Sequence, residues 1–151
     1  MSLEFTFCTR ICGLRIVDNT SQNLMKGSII MILIGIDIGK SSHTFCVLNN
    51  NTGEEIVSPT NIKNNKTGFD FLIDKVKCYK KEDMLFGMED TGHYHLALLK
   101  ELLSHNYTVA LINPVATDLT RKLQGGISKN DDLDTYTICD VISSNSKKKP
   151  Y

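Results

Sequence analysis

The chain has 151 residues, enough for one domain with a real core, and its 17 basic and 17 acidic residues cancel. Zero net charge gives no compositional case for nucleic acid or an anionic membrane as partner. The longest apolar run, residues 29–36, is far short of the ~20 residues of a membrane span, and no signal-peptide layout precedes it. Cys8, Cys12, Cys46, Cys78 and Cys139 are odd in number and scattered, as expected of reduced thiols in a cytoplasmic protein. Cys8 and Cys12 have no neighbouring His or second Cys pair to complete a zinc site.

Residues 1–30 show no sustained period, and Met25 or Met31 could each be a start. They read as an extension, non-native in character, that either adds a strand or is loosely ordered. From Met31 the pattern is clear. In MILIGIDIGK, Ile32, Ile34, Ile36 and Ile38 share one face of a strand, and Leu33, Gly35 and Asp37 share the other. Apolar residues on both faces predict a strand covered on both sides. A second strand over 43–49, the turn Asn49–Gly53 and a third strand over 54–59 make an antiparallel meander. Thr67 and Asp70 resemble a capping box that opens a helix reaching about Lys80.

A fourth strand, MLFGME at 84–89, repeats Leu-x-Gly-x-acid on one face through Leu85, Gly87 and Glu89. Thr91-Gly92 opens a helix to about His105, with Asn106 as its stop. A fifth strand over 109–112, a short helix over 115–123, a Gly125-Gly126 break and a last helix over 130–141 follow. Residues 143–151 read as a severed linker or truncated tail, which leaves 31–142 as the domain. Crossovers between the parallel strands predict a mixed α/β sheet of order 3-2-1-4-5, with only the second strand antiparallel.

Adjacent parallel first and fourth strands would bring Asp37 and Glu89 together at the carboxyl end of the sheet, where open α/β sheets keep their sites. On the last helix, Asp131, Asp134, Ile138, Val141 and Ile142 fall on one face, while Asp132 and Asp140 point elsewhere. Asp131 and Asp134 repel one another unless a cation lies between them. Helix-dipole preference accounts for acids in a first turn, but less well for an inward Asp134. Four carboxylates from two strand ends and one helix suit Mg²⁺ or Mn²⁺, which prefer oxygen ligands.

Four segments carry a resemblance: GIDIGKSSH at 35–43, MEDTGHY at 88–94, ALINP at 110–114 with Arg121-Lys122 after it, and KNDDLD at 129–134. In this order and spacing the chain resembles the amino-terminal catalytic domain of insertion-sequence transposases of the DEDD type, the "one-ten" family. The resemblance implies a RuvC-like ribonuclease H fold, with Asp37, Glu89, Asp131 and Asp134 as catalytic metal ligands. It further implies metal-dependent recombination of insertion-sequence DNA, a structured guide RNA as partner, and a homo-oligomer in the full-length protein. Asp90, Asn130 and Thr135 depart from the usual residues at their positions. Family members continue into a second domain with a serine proposed to attack DNA. On that ground the chain reads as a truncated unit, inactive as a transposase alone because it cannot complete transposition, and Ser41, Ser42, Ser128 and Ser143 read as turn or capping residues.

Lys40, His93, Tyr94, Arg121, Lys122 and Lys129 are candidate nucleic-acid contacts, the last three around the glycine-rich break. His95 and His105 read as surface residues. A single-domain RuvC-like junction resolvase is the enzymatic rival, although it leaves TGHY and the segment from ALINP to KNDDLD unexplained. A non-catalytic, nucleic-acid-binding transposase fragment is the other. An actin-like sugar kinase would need a second domain and a second phosphate loop.

Overall fold

A computed structural model of the chain describes residues 6–11, 14–18, 30–125 and 130–146. The two-sided apolar run after Met31 forms strand β3 (Ile32–Ile38), preceded in the chain by β1 (Thr6–Ile11) and β2 (Leu14–Asp18). The meander supplies β4 (Ser42–Asn49) and β5 (Glu55–Lys63). Helix α1 (Lys66–Val76) then leads to β6 (Met84–Glu89), α2 (Leu96–Ser104) to β7 (Val109–Ile112), and α3 (Pro114–Leu123) to α4 (Asp131–Ser146).

The sheet has the order β1-β2-β7-β6-β3-β4-β5. Its last five strands are the five expected from the sequence, in the order 3-2-1-4-5. β3, β6 and β7 run parallel, and β4 pairs antiparallel with both β3 and β5. The described residues of the amino-terminal segment make a hairpin whose β2 pairs antiparallel with β7, so the sheet grows by two strands at that edge.

Side-chain alternation divides the core into two. Ile32, Ile34 and Ile36 meet Phe45, Val47, Phe86 and Met88 beneath Leu72 and Val76 of α1 and Leu98 and Leu102 of α2. On the opposite face Leu33, Leu85, Ala110 and Ile112 pack against Ile138, Cys139, Val141 and Ile142 of α4. Asp37 and Glu89 belong to this second face, and α4 is therefore the element that reaches them.

Several boundaries differ from the sequence expectation. Helix α1 is capped by Asn65, not Thr67: Asn65 is extended, with φ −155°, and its side chain accepts from the Gly68 N–H. Thr67 lies within the first turn and Asp70 pairs with Lys66 at 2.6 Å, so the capping-box reading fails. The helix ends at Val76, before a short 3-10 turn at Lys81–Asp83. Helix α2 starts at Leu96, because Gly92 adopts φ +62° and the following residues form turns. Asn106, at φ +62°, does stop it, as a left-handed residue after the last turn. Helix α4 continues through Ser146, so residues 143–146 extend the last helix beyond its expected end.

Candidate metal centre

Two glycines set the geometry. Gly35 and Gly87 lie directly opposite one another in the β3–β6 ladder. A Cβ on Gly35 would collide with the carbonyl oxygen of Thr135 and stand 2.7 Å from Sγ of Cys139. One on Gly87 would lie 2.9 Å and 3.0 Å from methyl carbons of Ile142 and Ile138. Helix α4 thus rests on the bare backbone of the two central strands. Its amino-terminal turn, with Asp131 and Asp134, stands over the residues that follow those glycines by two, Asp37 and Glu89.

Oxygen atoms of Asp37, Asp131 and Asp134 all lie within 4.8 Å of one another. Burial raises the Asp37 carboxyl to about 7, assisted by the charges of Asp134, Asp131 and Glu89 in that order. Asp134 is buried. Its Oδ1 accepts from Nη2 of Arg121 at 2.7 Å, whereas its Oδ2 has no hydrogen-bond partner. Asp131 is exposed at the mouth of the site. Glu89 stands on the adjacent strand, outside the three-acid group, and its Oε1 accepts a short hydrogen bond from the buried hydroxyl of Thr117.

Clustered carboxylates with one buried, unpartnered oxygen fit a hard divalent cation. Such an ion prefers oxygen ligands and would relieve both the repulsion and the unsatisfied Oδ2. The acid set is thus suited to divalent metal.

The other candidates fall in different places. Lys40 is exposed just beyond β3, and His93 and Tyr94 are exposed beyond β6 with ring centroids 4.5 Å apart. Nδ2 of Asn64 donates to the carbonyls of Lys40 at 3.1 Å and Tyr94 at 3.4 Å, which ties the two loops together. Lys122 is exposed near the end of α3, and Lys129 lies outside the described residues. Arg121 is turned into the site, toward Asp134 on one side and Asp118 on the other. Asp132 and Asp140 are exposed, as their helical phase required.

His95 is a correction. It is 2 % exposed, with Nε2 3.4 Å from Asp90 Oδ1, because the turns before α2 fold it beneath the loop. His105 is half-exposed. The sequence reading also missed Thr117 and Asn64. A helix opening at Asn113-Pro114 puts Thr117 in its first turn beside the end of β6, but strand order alone does not single it out.

These features define a fold class: a ribonuclease H-like, RuvC-like domain with an acid cluster at the carboxyl end of its central parallel strands. A solved structure of T. thermophilus RuvC in complex with Holliday junction substrate matches with a TM-score of 0.53 at 11% identity, over 80% of this chain and 99% of that one. The Holliday junction resolvase of fowlpox virus matches with a TM-score of 0.49 at 13% identity, over 76% and 99%. No curated protein sequence matches. Residues 34–151 match the family model of DEDD transposases of the IS110 type, and the chain belongs to that transposase family. No helix among the described residues is long and apolar enough to cross a membrane.

Proposed function

We propose that residues 31–142, with the remainder of α4, form the metal-dependent catalytic unit of a DNA transposase that acts on phosphodiester bonds of insertion-sequence DNA in the cytoplasm. One observation carries the reading: Asp37, Asp131 and Asp134 converge within 4.8 Å, and a buried oxygen of Asp134 has no protein partner. Asp37, Glu89, Asp131 and Asp134 would hold the cation, Mg²⁺ or Mn²⁺. When bound, such an ion neutralises charge on phosphate oxygens and lowers the pKa of a coordinated water.

The protein's own contribution is placement. Asp37 and Glu89 are fixed by paired strands, and Asp131 and Asp134 by a helix that the two glycines admit to the sheet. Thr117 donates to Glu89 and so fixes the orientation of that carboxylate. With its carboxyl near 7, Asp37 can hold a proton at neutral pH until a cation displaces it. Lys40, His93, Tyr94, Lys122 and Lys129 are proposed to meet the nucleic-acid backbone, and Asn64 sets the relative position of the first and third of these. The structured guide RNA and the homo-oligomer belong to the same proposal and rest on the family alone. Strand transfer by a serine is not asked of these residues.

The test is cleavage of linear and four-way branched DNA by the purified chain with Mg²⁺ or Mn²⁺, beside Asp37→Asn. Metal-dependent nicking that the variant loses is the expected result. DNA binding with no cleavage under any metal would instead support a non-catalytic fragment. Cleavage confined to branched DNA would favour a resolvase.

A further inference from the structure

Arg121 is 18% exposed in its side chain and makes two 2.7 Å ion pairs. Nη1 donates to Oδ1 of Asp118, one turn earlier on α3, and Nη2 donates to Oδ1 of Asp134 on α4. A guanidinium is a rigid planar fork, so carboxylates on two different helices fix its plane. The terminal torsion of an aspartate is broad and roughly two-fold, and a free carboxylate can exchange its oxygens or turn them aside. With Oδ1 tied to Arg121, Asp134 keeps Oδ2 in the buried space, where it has no hydrogen-bond partner.

We infer that Arg121 is a positioning residue of the cation site: it acts through Asp134, holding one oxygen so that the other is presented to metal, and Asp118 braces it. The inference rests on the metal reading above and gives Arg121 a task other than meeting nucleic acid. Two effects of the arginine oppose each other. Its positive charge near a cation site weakens metal binding, and its grip on Asp134 strengthens it. Outer-shell partners of metal ligands are worth about 10–100-fold in affinity. Positioning therefore outweighs the repulsion, and the sign of the change becomes diagnostic.

The experiment titrates Mn²⁺ alone into the whole chain, with free Mn²⁺ followed by electron paramagnetic resonance. Arg121→Gln is expected to bind about tenfold more weakly or worse, although a positive charge has been removed. Arg121→Lys should recover part of the loss, since an ammonium can still take Oδ1 without bridging to Asp118. Asp118→Asn, at an exposed position, should weaken binding in the same direction but less. Equal or tighter binding in Arg121→Gln overturns the inference while the metal reading stands. If that variant does not fold, unchanged affinity in both Arg121→Lys and Asp118→Asn overturns it. A wild-type chain that takes up no Mn²⁺ overturns the metal reading and this inference together.

Discussion

Replacing Asp37 with asparagine should abolish the response to Mn²⁺ and at the same time stabilise the metal-free protein above pH 7. Burial and three neighbouring acids raise the Asp37 carboxyl from 3.8 to about 7. Between these two values the folded state holds a proton that the unfolded state has released. Stability from this group is therefore complete below about pH 4, falls as the pH rises toward 7, and stays lost above it. Asparagine carries no charge and removes that slope. The gain at pH 8, after solvent screening, is about 2 kcal/mol, or roughly 4–8 °C in Tm for a domain of this size.

Metal acts in the opposite sense on the wild-type chain. A ligand present at 100 times its Kd stabilises by about 2.7 kcal/mol, which corresponds to roughly 5–10 °C. Thermal melts with and without Mn²⁺ should show that rise in wild type and in Asp140→Asn, and almost none in Asp37→Asn. Equal responses in the Asp37 and Asp140 variants would mean that the acids do not act as one site.

The second large effect is expected at Gly35. Alanine there drives a methyl into the Thr135 carbonyl, and a helix backbone cannot step aside as a side chain can. The cost should be about 3 kcal/mol, at the upper end for overpacking a core. Urea unfolding would register this as a lower midpoint with an unchanged slope. Because Asp131 and Asp134 ride on the displaced helix, Mn²⁺ binding should weaken as well. The nearest atoms to the methyl of Gly87→Ala are side-chain methyl groups of Ile138 and Ile142, which can adjust, and the cost should be about 1 kcal/mol. Equal costs at the two positions would show that α4 is not held by contact of backbone with backbone.

Much of this site was legible in the sequence. The repeated Leu-x-Gly-x-acid phase fixed both the register of β3 against β6 and the common face of Asp37 and Glu89. Helical spacing separated inward Asp134 from outward Asp132 and Asp140. What escaped was decided by tertiary contact. The cap of α1 moved to Asn65 because its extended backbone lets the side chain reach the Gly68 N–H, and propensity does not distinguish it from Thr67 two residues on. His95 was hidden because a positive-φ glycine delayed α2 and folded the turn inward. Arg121 looked like a solvent-facing cation on a short helix. Only the packing of α3 beside α4 shows that an aspartate across the interface claims it.

Asp37, Glu89, Asp131 and Asp134 are proposed to form a single divalent-cation site. Crystals of the chain grown with saturating Mn²⁺ and measured at the manganese absorption edge test it most directly. An anomalous peak is expected, bounded by oxygens of Asp37, Asp131 and Asp134, with Oδ2 of Asp134 among its ligands and Glu89 beside it, and no such peak in Asp37→Asn. Manganese bound only elsewhere on the protein, or the same peak retained in Asp37→Asn, would contradict it.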